Sequence, residues 1–124
     1  MRKLTLLIVF IFFLDGCSIR PKNHYSYRGV YTQGFEISTF TSCGSDNSYW
    51  LWAADERLME RLDEKIDRIR DEKGHPYPSL YLEMVAVDEG KSEDGFPADY
   101  DSTLNMIELV RYSQQIPYQC QHPL

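Results

Sequence analysis

Hydrophobic and polar positions change period along this chain, and the changes mark its elements. Gly34-Phe35-Glu36-Ile37-Ser38-Thr39-Phe40-Thr41-Ser42 alternates with a period of two and is rich in β-branched and aromatic residues. It predicts a strand with Phe35, Ile37, Thr39 and Thr41 on one face and Glu36, Ser38, Phe40 and Ser42 on the other. Ahead of it, Tyr27 to Gln33 alternates more weakly and predicts a strand that ends in a tight turn or bulge at Gln33-Gly34, where glycine tolerates a positive φ. After it, Cys43-Gly44-Ser45-Asp46-Asn47-Ser48 is turn chemistry. Tyr49 to Ala53 then predicts a third strand with Trp50 and Trp52 side by side on one face.

The period next lengthens. Leu58, Met59, Leu62, Ile66 and Ile69 recur at spacings of three and four, which puts them on one stripe of a helix over about residues 55–73. Asp55 is placed to cap its first turn, and Gly74 and Pro76 stop it. Its charged outer face reads as solvated surface. A period of two returns at Leu80 to Val87, apolar on both faces and therefore a central strand. Asp88 to Asp101 is an acidic loop, Thr103 to Tyr112 is a last strand, and Gln114 to Leu124 is a tail. The order strand, strand, strand, helix, strand, strand fits a mainly β domain with one helix. The expected architecture is a five-stranded OB-like Greek-key barrel, with a split sheet carrying one packed helix as the competitor.

The first residues follow another logic. Met1-Arg2-Lys3 is cationic, and Leu4 to Leu14 is an apolar run of 11 residues broken only by Thr5. Such a run is a signal segment and too short to span a bilayer, which takes about 20 residues. Leu14-Asp15-Gly16-Cys17 resembles the lipobox of bacterial lipoproteins, although Asp15 stands where a small or apolar residue is usual. The resemblance implies a signal peptide over residues 1–16, lipidation of Cys17 and a membrane anchor for the mature chain. Residues 17–26 are then a lipidated N-terminus and tether, and residues 27–124 the barrel domain. Ser18 after the cysteine resembles outer-membrane sorting in enteric lipoproteins, so the expected place is the outer membrane, facing the periplasm.

Composition narrows the partners. The formal charge is −6, and removal of Arg2, Lys3 and Asp15 with the signal peptide leaves about −7. So acidic a surface repels phosphate backbones, which disfavours nucleic acid. With Cys17 assigned to lipid, Cys43 and Cys120 remain, and export favours one disulfide between them. The alternatives are two free thiols or a metal site, for which neither CxxC nor HxxxH spacing is present.

Templates for catalysis fail. His24 falls in the tether, His75 in a Gly-His-Pro stop and His122 in the tail, so no histidine sits beside a nucleophile on a strand. Neither a nucleophile elbow, a P-loop nor a zincin motif occurs. The expectation is a non-enzyme without cofactor or resident metal. The acidic loop is the best ion candidate because calcium wants six to eight oxygens, but its spacing does not fit an EF-hand. Glu36 is a charge within a patterned strand: it either faces solvent and pairs with Arg28 or Arg111, or lines a groove with Trp50, Trp52 and Tyr81. For the Trp pair the alternative is core packing.

Gly34-Phe35-Glu36, Ser38, Phe40, Cys43-Gly44 and Tyr49-Trp50 resemble the pattern of a group of small bacterial envelope lipoproteins. Ser42 replaces a Pro usual there, and Tyr49 a Trp. The resemblance spans about residues 28–120 and implies a compact OB-like barrel, without lending a function. Copper-handling envelope lipoproteins have similar small barrels, but the CxxC expected in them is absent here. The functional expectation is a membrane-anchored acidic barrel that binds an envelope protein or glycan. The alternative is a structural or stress-related accessory subunit of an envelope assembly.

Overall fold

A computed structural model describes residues 23–121. The signal segment, Cys17, the first part of the tether and His122 lie outside the described residues. Five strands form a closed barrel: β1 (His24–Gly34), β2 (Ile37–Ser42), β3 (Ser48–Trp52), β4 (Ser79–Asp88) and β5 (Ser102–Ser113). Helix α1 (Glu56–Lys73) joins β3 to β4, and a short helix α2 (Tyr118–Gln121) ends the description. Neighbours around the barrel run β1-β2-β3-β5-β4, with β3 and β5 parallel and the other pairs antiparallel. This is the mainly β, OB-like barrel with one helix that the residue pattern predicts.

Closure depends on β1. Its first part pairs with β4 from His24 beside Val87 to Thr32 beside Ser79, and its last part pairs with β2 from Gly29 beside Ser42 to Gly34 beside Ile37. The strand starts at His24, three residues before the side-chain alternation predicts. The reason is that His24, Tyr25 and Ser26 join the ladder through their backbones opposite Val87, Ala86 and Val85. The β1–β2 turn also differs from expectation. Gly34 stays in the ladder, and Phe35-Glu36 makes the turn, with Glu36 at φ 59°.

Alternate residues fill the interior. Tyr31, Phe40, Leu51, Leu80, Leu82, Met84, Leu104 and Met106 are fully buried there, joined by Leu62 and Ile66 from α1. On β2 it is the Phe40 face that turns inward, although the opposite face is the more β-branched. The ring of Phe40 packs edge-on to Tyr27, at a centroid distance of 6.3 Å, and also meets Tyr49. β4 is central as predicted, flanked by β1 and β5. The helix begins at its Asp55 cap, whose side chain accepts from the Arg57 N–H, and ends at Gly74 in the left-handed region.

Two glycines are fixed by close approach. A Cβ on Gly29 would lie 2.2 Å from the Thr41 carbonyl oxygen and 2.6 Å from Phe40 Cζ. On Gly34 it would lie 2.0 Å from Cδ1 of Tyr77. The first obstacle is backbone and a packed ring; the second is a half-exposed side chain that can swing away.

Cys43 and Cys120 form a disulfide. Ser113, Tyr81, Val30 and Thr41 lie side by side on β5, β4, β1 and β2, and Cys43 is two residues beyond Thr41. The chain from Ser113 to Cys120 therefore crosses the outer wall of β4 and β1. Closing this loop of 77-residue separation contributes about 4.5 kcal/mol in the chain-entropy account.

On α1, Asp63 Oδ1 is buried without a hydrogen-bond partner among the described residues. Burial, and then the Asp67 carboxylate, push the Asp63 carboxyl above its usual range, against a smaller opposite pull from Arg70. Near it, burial drives the Tyr31 hydroxyl up to about 12, a rise that Ser38 opposes and the charge of Asp63 reinforces.

Two outcomes are expected. In urea melts, Gly29→Ala should cost about 3 kcal/mol, the upper end for overpacking, and Gly34→Ala only about 1 kcal/mol; equal costs would refute the difference in obstacle. Asp63 binds its proton more tightly folded than unfolded, so its contribution to stability is fully present below its unfolded pKa and is lost as pH rises through the folded one. Asp63→Asn should therefore raise Tm by a few degrees at pH 7 and leave it unchanged at pH 3, as read by thermal melts across that range.

Candidate functional site

Strand β3 points Leu51 into the core and turns Trp50 and Trp52 outward. Thr39 of β2 and Thr103 of β5 flank Trp50 in the ladder. This outer face of β2, β3 and β5 is where the predicted Trp pair lies, and the structure places it neither in the core nor in an open groove. The acidic loop folds back across it.

The loop is fastened at several points. At its end, the Ser48 N–H donates to Asp101 Oδ2 at 2.8 Å, and the Asp101 N–H to the Ser48 carbonyl at 2.9 Å. Tyr100 Oη and Thr39 Oγ1 are hydrogen-bonded at 2.6 Å. The Trp52 indole N–H donates to Glu89 Oε1 at 2.5 Å. Phe96 opens a single 3₁₀ turn (Phe96–Asp99) and stacks on Trp50 with planes 19° apart and centroids 6.4 Å apart. Tyr100 meets Trp50 edge-on at 5.6 Å. Inside the loop, Lys91 Nζ donates to the carbonyls of Ala98 and Tyr100 at 2.7 and 2.8 Å, bracing it across its width. Gly90 and Gly95 take positive φ, at 85° and 72°, which lets the chain reverse on either side of the charged segment.

The result is a cluster of three rings outside the barrel. Trp50 and Tyr100 are half-buried, whereas Phe96 keeps 51% of its surface in solvent. Around it the carboxylates divide into two sets. Asp88 accepts from Ser102 Oγ and the Gly90 N–H, Glu89 from Trp52, and Asp101 from Ser48. Glu93, Asp94 and Asp99 are exposed, and among the described residues their side chains form neither hydrogen bond nor ion pair. Nor do the loop's carboxylates gather around a point: among the described residues no group of three or more metal-ligating side chains forms. The six loop carboxylates weighed for calcium are spread along the chain instead.

The remaining predicted site residues do not converge. Glu36 sits in the exposed β1–β2 turn beside Phe35, which is 82% exposed, and not on a strand. Among the described residues its carboxylate bonds to neither Arg28 nor Arg111, because it lies beyond the end of the ladder. Tyr81 faces outward on the opposite wall, where the segment after Ser113 crosses, and is 3% exposed. Its hydroxyl donates to Glu83 Oε1 at 2.6 Å, and the Arg111 guanidinium lies 5.8 Å from its ring centre. Burial and then the Glu83 bond push that hydroxyl above its ordinary range. Tyr81 thus braces the wall and is separated from the Trp pair. Phe96 and Tyr100 were the residues missed. Their signal was two aromatic rings embedded in an otherwise charged loop, attributed to the loop as a whole.

The chain matches no protein-family model, and comparisons with curated proteins and with solved structures give no match.

Because Glu36 holds a positive φ that costs an L-residue about 1 kcal/mol, Glu36→Gly should raise stability by roughly 0.5–1 kcal/mol. A loss of stability in chemical denaturation would mean that the carboxylate has a structural partner after all.

Proposed function

We propose that this protein is a bacterial envelope lipoprotein, held on the membrane by lipid at Cys17, whose barrel recognises another envelope component without catalysing a reaction. One observation carries this reading: the barrel interior is filled with side chains, while an aromatic cluster stands outside it with one ring half in solvent. A packed interior offers no room for a ligand, so recognition falls to the outer surface. The expected location, the periplasmic side of the outer membrane, follows from the N-terminal sequence alone. A charge of −6 over the whole chain keeps nucleic acid out of consideration.

The second reading, an accessory subunit of an assembly, would use other surface. The apolar stripe of α1 is spent on the core through Leu62, Ile66 and Ile69. Apolar surface open to an assembly includes the β1–β2 turn, where Phe35 and Tyr77 are exposed, and the outer side of β5, where Ile107 and Val110 are.

Site-specific photocrosslinking in intact envelopes separates the two. A crosslinker at Phe96 should give a discrete adduct, one at Glu64 on the outer face of α1 should give none, and an adduct only from Phe35 would favour the accessory subunit. Membrane sedimentation tests the anchor in parallel: Cys17→Ala should release the protein, and unchanged sedimentation would remove the lipoprotein premise.

A further inference from the structure

We infer that the outer wall formed by β4, the first half of β1 and the second half of β5 lies against the bilayer that carries the Cys17 lipid. Its apolar contacts are Ile107, Val110 and Tyr25. This orientation rests on the anchor proposed above and decides which side of the barrel is left open to a partner.

Two bulges shape the wall. Met106 and Glu108 stand beside Ala86 and Val85, so Ile107 is an extra residue with no partner on β4. Leu109 and Arg111 stand beside Met84 and Glu83, which makes Val110 a second one. A bulge breaks the alternation of faces and re-aims a side chain. Here both extra residues are apolar and both meet solvent, Ile107 at 43% and Val110 at 57% exposure. Val110 rims a groove of about 210 Å³ against Ser26, Arg28 and Glu83. Tyr25, on β1 beside Ala86, adds an exposed ring at the barrel's end. The tail leaves β5 after Ser113, beyond both bulges, and they stay open.

The length of chain ahead of the wall indicates what covers it. Residues 18–22 are all that separate Cys17 from Asn23, where the described residues begin. At about 3.5 Å per residue, Asn23 stays within about 20 Å of the lipid-bearing residue. A domain of about 100 residues has a radius of gyration of about 13 Å, so the barrel is wider than its leash is long. Held this closely, a face meets the surface at a millimolar effective concentration, and a small apolar patch is enough to orient it. The bulges are next to the leash. β1 receives it at His24 beside Val87, and Glu83 is four residues back along β4, about 13 Å away.

The charges on this wall fit a zwitterionic surface. Arg28, Glu83 and Arg111 form one row and Glu108 stands on the next, two cations and two anions on a chain of formal charge −6. Among the described residues neither arginine is held in an ion pair, so both guanidiniums are available to headgroup phosphate. The acidic loop and the ring cluster on Trp50 occupy the other wall, which this orientation turns away from lipid.

The test uses the full-length acylated protein in phosphatidylcholine vesicles that contain a doxyl-labelled lipid as quencher. Glu108→Cys, set between the bulges, carries an environment-sensitive nitrobenzoxadiazole label, and Glu64→Cys on the outer face of α1 is the control. The label at 108 should shift to the blue and lose about half its emission, as for a group at the headgroup boundary, while the label at 64 should not change. Adding Ile107→Ser and Val110→Ser should abolish the effect with the circular dichroism spectrum unchanged. Intact mass reads the anchor separately: Cys17 without acyl chains would remove the anchor and this orientation with it. With the acyl chains present, equal signals at 108 and 64 or an effect that survives the serine substitutions would overturn the orientation alone. So would a shift that grows with protein density, which would put a second copy on the wall, or no shift in pure lipid, which would leave the wall to a protein assembly.

Discussion

Everything in this molecule depends on one strand being shared. β1 lends its first nine residues to β4 and its last six to β2, and between Gly29 and Thr32 it pairs on both edges at once. A strand paired on both edges has no free side, and this sharing turns a row of hairpins into a barrel. It demands a backbone approach so close that only glycine fits at position 29, with the Thr41 carbonyl and the Phe40 ring pressed against the Cα. Phe40 in turn meets Tyr27 and Tyr49 across the interior. The closure and the aromatic core are therefore a single packing problem.

Once the barrel is shut and full, the remaining segments have only its outside to occupy. The tail crosses one wall and is fixed by the disulfide to Cys43, and Tyr81 beneath its path loses nearly all its exposure. The acidic loop takes the other wall and covers most of Trp50. The two walls differ in chemistry. Outward residues on the tail's side include Arg28, Glu83 and Arg111, neighbours in the ladder whose charges alternate in sign. On the loop's side the rings have carboxylates around them and one already committed lysine. Opposite charges are neighbours on the first wall, whereas on the second carboxylates are left over.

How much of this could be read from the sequence depended on how local each determinant is. The helix, its Asp55 cap and its Gly74 stop were legible because every determinant lies within a few residues. So was β4, whose apolar residues on both faces announce a strand with neighbours on either side. The β1–β2 turn was not, because Gly34 looks like a turn residue but is needed for Tyr77, forty-odd positions away, to lie against the strand. The turn then falls on Phe35-Glu36, which carries no turn signal at all. The grouping of Glu36, Trp50, Trp52 and Tyr81 failed for a related reason. Alternation tells which residues share a face of one strand, but the order of strands around the barrel decides which faces meet. Phe96 and Tyr100 were visible as letters, yet only the fold reveals that a charged loop lies down on a tryptophan.

That docking also explains why the loop keeps its charge. A loop held by ion pairs would have to pair each carboxylate with a surface cation, and this face of the barrel has few to give. Here the fastenings are neutral: an indole N–H, backbone N–H groups, a threonine and a tyrosine hydroxyl, and ring contacts on Trp50. The lysine that could neutralise a carboxylate serves carbonyls instead, since it is the brace that holds Ala98 and Tyr100 in place. Neutral fastening leaves the loop's negative charge in place, at a repulsion that water and salt reduce but do not remove.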